Sequence, residues 1–176
     1  GREYICQYFP EGEENIDVPT HNPELRIKRV FLDKEAELFN ECREALREAD
    51  LIILGPGDLY TSIIPNLLVK GMKEFINNSK AKKIYICNLM TKYGETNKFK
   101  ASNFVKEINR YLGGNVLDYV IINKELPSRN IQEEYAQKKA ELVENDFIEI
   151  KKLRVNIIVA DLLGKRAIEN NNLIRH

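Results

Sequence analysis

Several residue types that carry common chemistries are scarce in this sequence of 176 residues. It has no Trp, two His (His21 and His176) and three Cys. Neither His has a Cys or carboxylate partner at the spacing of metal ligands, so no metal cage is expected. The chain also lacks GxSxG, GxxxxGK(S/T) and GxGxxG patterns. These residues therefore support neither a serine hydrolase nor a P-loop nor a complete dinucleotide fingerprint.

The charges and apolar runs narrow the cellular setting. Lys plus Arg equals Asp plus Glu at 27 each, so no summed positive field attracts nucleic acid or an anionic membrane surface. No apolar run approaches the roughly 20 residues that cross a bilayer. The cysteines Cys6, Cys42 and Cys87 are odd in number and lie in apolar or helical patterns, which is typical of buried thiols in a reducing compartment. We expect a soluble cytoplasmic protein without nucleic-acid or membrane partners, and no catalytic Cys.

Apolar runs and helical patterns alternate along the chain, after a stretch at 10–25 that is rich in Pro, Gly, Glu and Asn and reads as a surface connection. The continuous apolar run 51–54 is typical of a strand covered on both faces by helices. The pattern predicts one α/β domain over residues 1–176, with a mainly parallel sheet between helices in a three-layer arrangement. The predicted strands are 26–32, 51–54, 84–87, 119–122 and 155–160, and the predicted helices are 35–48, 62–76, 102–112 and 130–143.

The turn after the strand 51–54 is the first candidate site. Gly55, Pro56 and Gly57 let backbone approach a ligand, and Thr61 and Ser62 precede a helix whose first amides and dipole favour an anion. By spacing alone the simpler interpretation is a tight turn in which Ser62 is only an N-cap.

Two side chains of this turn have open roles. A carboxylate at Asp58 would repel a phosphate unless it bonds a ribose, a metal or a backbone amide, or caps the helix. Tyr60 either stacks on a ligand ring or packs inside the protein.

The second candidate is the loop 88–96, which leaves the next predicted strand at the same edge of the sheet. The alternative is an ordinary polar loop. Asn123 and Asp161 also follow predicted strands, so four strand ends direct polar groups to one edge. The hydrogen-bonding and hinge residues of this loop are Asn88, Thr91, Gly94, Glu95 and Thr96.

The two segments together resemble a known family. LGPGDLYTSIIPNLLV (54–69) and YICNLMTKYGET (85–96) are similar to the gluconeogenesis factor YvcK and 2-phospho-lactate transferase CofD family, with more likeness to the YvcK branch. The likeness extends through 12–16, 27–32, 101–105 and 174–176. It implies a Rossmann-like fold in which a Gly-rich phosphate loop lies near the amino terminus. That loop is absent here, so we expect the latter part of a longer protein.

The family motifs carry over residue by residue, with two departures. Asp58 stands where the family commonly has Ser, and Lys92 with Tyr93 replaces the usual Gln-Pro. The first puts direct phosphate contact at that position in doubt, and Lys92 could offset the charge. The positions that match are Gly55, Gly57, Tyr60, Thr61, Ser62 and Asn66 in the first motif and Asn88, Thr91, Gly94, Glu95 and Thr96 in the second.

The resemblance implies two functions. The first is a non-catalytic regulator of carbon metabolism, cell-wall precursor flow and cell shape that binds a nucleotide sugar such as UDP-N-acetylglucosamine. The second is a transferase that moves a phospho-lactyl group from a guanosine-nucleotide donor to a deazaflavin, for which a divalent metal and Asp58 or Glu95 would be needed. We expect the first, with no cofactor. The number of subunits stays open, a homodimer included, and a protein-interaction module is the third alternative.

Overall fold

The computed structural model describes the backbone of residues 3–8, residues 16 and 22, and residues 25–163. Most of the predicted surface connection and the motif at 174–176 therefore lie outside the described residues. Two sheets are present in this part of the chain. β1 (Glu3–Tyr8) and β2 (Arg26–Leu32) pair in parallel as one. The main sheet is parallel throughout, in the order β3 (Leu51–Leu54), β4 (Lys82–Ile86), β5 (Tyr119–Asn123), β6 (Asn156–Ala160).

The predicted α/β class with a parallel sheet is confirmed, and no helix of the described residues is long and apolar enough to cross a bilayer. A π-helical turn, Leu59–Ile63, precedes the second helix. The helices are α1 (Asn40–Glu48), α2 (Ile64–Leu67), α3 (Met72–Asn78), α4 (Ala101–Leu112), α5 (Arg129–Gln137) and α6 (Phe147–Lys152).

The predicted helix over 62–76 is divided in the structure. Gly71 has a φ of +95°, a left-handed conformation that side chains rarely adopt, and it separates α2 from α3. Just beside the break, Lys70 is bonded to an extended segment: its N–H donates to Ala36 O at 2.8 Å, and its O accepts from Leu38 N at 3.0 Å. This ladder also explains why the helix predicted from residue 35 begins only at Asn40.

Two other helix ends differ from the prediction because of contacts distant in sequence. The segment after α5 is extended, since Leu142 forms a bridge with Met90, so the helix predicted to residue 143 ends at Gln137. Ser102 does not cap α4. Its hydroxyl donates to Asp146 Oδ2 at 2.6 Å, and the helix begins one residue earlier. Gly113 ends α4 as predicted, with a φ of +87°.

The core lies between α4 and one face of the main sheet. Phe104 and Ile108 of α4 are fully buried in one cluster with Tyr85 of β4 and Val120 of β5. Alternate residues of the strands point to the other face, and there Ile53 is 54% exposed. Within residues 25–163 the strand predicted to be covered on both faces is thus covered on one. The tight packing fixes the carboxyl ends of β3 and β4, where both candidate loops begin.

Candidate functional site

The two candidate loops meet at the carboxyl edge of the main sheet, as the sequence predicts. Asn88 Nδ2 donates to Gly57 O at 2.9 Å, and Tyr60 N donates to Glu95 Oε1 at 2.6 Å. An ion pair of 2.6 Å joins Lys92 Nζ to Asp58 Oδ2. Because parallel strands end at the same edge, loops that are more than 30 residues apart in sequence become one surface.

The turn after β3 depends on Gly55. Its φ is +85°, and a Cβ built on it would lie 3.1 Å from the backbone carbonyl oxygen of Ile86. Neither the conformation nor the neighbouring strand can easily adjust. After Pro56 and Gly57, the turn closes where the N–H groups of Ser62 and Ile63 both donate to Asp58 O at 3.0 Å.

Replacement of Gly55 by alanine is expected to lower the free energy of unfolding by about 2 kcal/mol, because it adds left-handed strain and a contact with β4. Urea denaturation measures the loss. Gly114→Ala is the control, since a Cβ at Gly114 has no neighbour within 4 Å. Equal losses in the two variants would show that the turn does not need glycine at position 55.

Glu95 occupies the start of the π-helical turn. Its side chain is buried, and Oε1 accepts from Tyr60 N, while Oε2 lies 3.7 Å from Lys92 Nζ. The prediction that Ser62 caps this turn is therefore wrong. The turn begins after Asp58, whose carboxylate makes no cap bond, and the anion that meets a first-turn amide is the protein's own Glu95.

Asn88 holds the ends of β3 and β4 together. Tyr85 Oη donates to Asn88 Oδ1 at 2.9 Å, and the amide nitrogen is bonded to Gly57 O. Burial raises the pKa of Tyr85 well above its usual value, so its hydroxyl stays a donor. Both polar atoms of the Asn88 side chain thus serve the protein itself in this conformation.

The remaining loop residues are also bonded within the protein. Thr91 Oγ1 accepts from Glu141 N at 2.9 Å, and Thr96 Oγ1 accepts from Lys92 N at 2.9 Å. Gly94 has a φ of +82° at the tip of the loop. Thr61 is buried in the first loop. The loop 88–96 is therefore an ordered wall.

Of the two roles left open for Tyr60, packing is the one that the structure shows. The side chain is 1% exposed, and its ring meets Phe99 edge to face at a centroid distance of 6.4 Å. Its hydroxyl is hydrogen-bonded to Glu107, and burial raises the pKa of both groups.

Glu107 begins a polar connection to the small sheet that the sequence did not reveal. It pairs with Arg110 at 3.2 Å, and Arg110 Nη2 donates to Lys28 O in β2 at 2.8 Å. Tyr111 Oη accepts from Val30 N at 2.8 Å. The only signal in the sequence is a carboxylate between Phe104 and Ile108 on an otherwise apolar helix side.

A few groups of the two loops stay open to solvent. Pro56, Ser62 and Asn66 are exposed, and about a quarter of the Asp58 and Lys92 side chains is accessible. Asn66 Nδ2 donates to Ser62 O at 2.7 Å. We call these five residues the cleft wall. They are the part of the predicted site that a ligand can reach in this conformation.

Asn123 and Asp161, at the ends of β5 and β6, bond locally. Asn123 Oδ1 accepts from Leu162 N at 2.9 Å, and Asp161 Oδ1 accepts from Leu163 N at 3.1 Å. A cavity of about 50 Å³ between β4 and β5 is lined by Asn88 and Asn123. Behind the loop 88–96 lies a larger cavity of about 380 Å³, with Tyr93 and Lys139 in its lining.

Metal-binding and thiol chemistry find little support in the described part of the chain. No group of three or more His, Cys, Asp or Glu side chains there is placed to hold a metal ion. Cys87, directly after β4, is buried, and burial raises its pKa to about 12. Cys42 on α1 is exposed, so the prediction that it is buried is wrong.

Comparison with known proteins gives concordant matches. A family model for 2-phospho-L-lactate transferase CofD matches residues 7–163. A putative gluconeogenesis factor of Thermotoga maritima is 44% identical over 87% of this chain and 48% of its own length. The gluconeogenesis factor of Bacillus subtilis is 41% identical over 86% of this chain and 46% of its own. A crystal structure of a Bacillus halodurans protein superposes with a TM-score of 0.79, at 40% identity over 85% of this chain and 47% of that one.

The chain thus spans about half the length of these relatives. The regions that match include both loops of the candidate site, and the fold of the solved relative agrees with the parallel sheet described above. By the family model and the similarity to gluconeogenesis factors, this chain belongs to the CofD family.

Proposed function

We propose that this chain forms one side of a nucleotide-sugar cleft in a cytoplasmic, non-catalytic regulator similar to the gluconeogenesis factors. Such a protein would adjust carbon metabolism, cell-wall precursor flow and cell shape to the level of a UDP-sugar such as UDP-N-acetylglucosamine. The observation that carries the proposal is the junction of two family motifs at the carboxyl edge of a parallel sheet. Ligands of open α/β sheets bind at that edge.

The charges of the cleft wall favour a role at the hydroxyl-bearing part of the ligand. Lys92 stands between the carboxylates of Asp58 and Glu95, so one positive and two negative formal charges leave no surplus positive charge for a diphosphate. Ser62, Asn66 and Asp58 instead offer hydrogen-bonding groups to ribose or sugar hydroxyls. The family's Gly-rich loop, which this chain lacks, would hold the phosphates.

Calorimetric titration of the full-length protein with UDP-N-acetylglucosamine tests the proposal. We expect saturable binding, and we expect Asp58→Asn to weaken it about tenfold, since a hydrogen bond to a charged group contributes about 1.5–3 kcal/mol. Asp50→Asn, an exposed aspartate at the opposite end of β3, is the matched control and should bind normally. Absence of heat and of competition at millimolar ligand would contradict the proposal.

The transferase alternative draws its support from the CofD family model. It requires a divalent metal, for which Asp58 and Glu95 are the candidate carboxylates. The ammonium of Lys92 lies 2.6 Å from one and 3.7 Å from the other, where a metal ion would have to stand. The residues of this chain therefore do not fit that metal. Formation of product would establish the alternative, and Asp58→Asn would then lose turnover but retain nucleotide binding.

A further inference from the structure

One face of the main sheet is apolar and carries no helix in the described part of the chain. In register across the strands, Ile53 of β3 lies beside Ile84 of β4, and Ile86 beside Ile121 of β5, which lies beside Ile158 of β6. We call Leu51 and these five residues the open face. Leu51 is 46% exposed, Ile53 54% and Ile158 39%.

The two faces of the sheet differ sharply in burial. On the face towards α4, Tyr85 and Val120 are fully buried. On the open face, Ile84 and Ile121 occupy the same central strands but remain partly exposed. The neighbouring strands alone give this partial burial, because a packed helix would remove most of what remains. Continuous apolar patches of this kind mark an interface.

We propose that the open face is covered by amphipathic helices from the part of the family's polypeptide that lies outside the region matched here. Parallel sheets occur almost only with helices on both faces, which argues against a second copy of this chain placed sheet against sheet. The relatives supply the length: this chain covers 48% of the Thermotoga maritima protein and 47% of the solved Bacillus halodurans chain.

The edge of the same sheet supports this occupant. Among the described residues, β3 pairs only with β4, so its other edge offers unpaired backbone groups next to Leu51 and Ile53. An additional strand there, followed by a crossover helix, would lie over the open face with the usual right-handed connection. The same segment would then complete both the sheet and its cover.

Co-expression provides the test. This chain, with an affinity tag, is produced together with the part of the Thermotoga maritima relative outside the matched region, and in a second experiment with that of the Bacillus subtilis relative. We expect a one-to-one complex from at least one pair. Ile121→Asp should reduce the recovered complex at least tenfold, because it buries a charge in the interface. Ile148→Asp, on α6 where Ile148 is 74% exposed, is the matched control and should leave recovery unchanged.

A second variant keeps the result interpretable. Ile53→Asp lies at the sheet edge and is more than half exposed, so it should fold even if Ile121→Asp does not, and it should also lose the complex. No complex with either partner would overturn the proposal. So would a complex that is indifferent to Ile53→Asp, or a homodimer of this chain that Ile53→Asp dissolves.

Discussion

Replacement of Glu95 by alanine is expected to lower the free energy of unfolding by about 3 kcal/mol. The carboxylate is buried and accepts a hydrogen bond from Tyr60 N at 2.6 Å, so its removal leaves that buried amide without its partner. It also removes one of two carboxylates beside Lys92. Breaking a buried charged contact costs about 3–5 kcal/mol, and the remaining pair of Lys92 with Asp58 keeps the loss near the lower limit.

Chemical denaturation with urea measures this loss, and two further variants make it specific. Glu95→Gln keeps an acceptor for Tyr60 N and should lose less than the alanine variant. Glu133→Ala, at an exposed position of α5, should change the free energy of unfolding by less than about 0.5 kcal/mol. If Glu95→Ala were as stable as Glu133→Ala, the role of Glu95 at the start of the π-helical turn would be refuted.

Replacement of Phe104 by alanine is expected to cost about 4 kcal/mol. Phe104 is fully buried on α4, and its ring meets Phe99 edge to face at 5.4 Å, while Phe99 in turn meets Tyr60. The change removes buried apolar surface, leaves a cavity and ends the ring contact. Since Tyr60 lies on the turn between the loops, we also expect weaker ligand binding by the full-length protein.

Phe39→Ala is the control for this variant. Phe39 precedes α1 and is 68% exposed, so the loss of the same side chain there should cost less than about 1 kcal/mol. Urea denaturation of both variants gives the comparison. A loss below about 2 kcal/mol for Phe104→Ala would mean that the space beside Phe99 can close, and that the aromatic contact does not hold the turn.

The strands were predictable from the sequence because short apolar runs between Gly, Pro and polar residues set their positions locally. The run 51–54 is β3 without any shift, and 26–32 is β2. Helix ends were less predictable. The ladder that Lys70 forms with Ala36 and Leu38 joins residues more than 30 positions apart, and such contacts leave no periodic signal.

The site divides in the same way. The sequence placed both loops at one sheet edge, and it anticipated that Lys92 would offset Asp58. It could not show that Asn88 and Glu95 bond to the other loop, because that depends on which way buried side chains turn. The binding roles of the predicted residues stay a prediction.

The bonds between the two loops have a consequence for the thermodynamics of recognition. Asn88, Glu95 and Lys92 each join one loop to the other, so this surface becomes ordered when the chain folds. A ligand then meets groups that have already lost their conformational entropy, and little of its binding energy is consumed in arranging them. Preorganisation of this kind favours a fast, graded response to ligand concentration over one limited by the ordering of a loop.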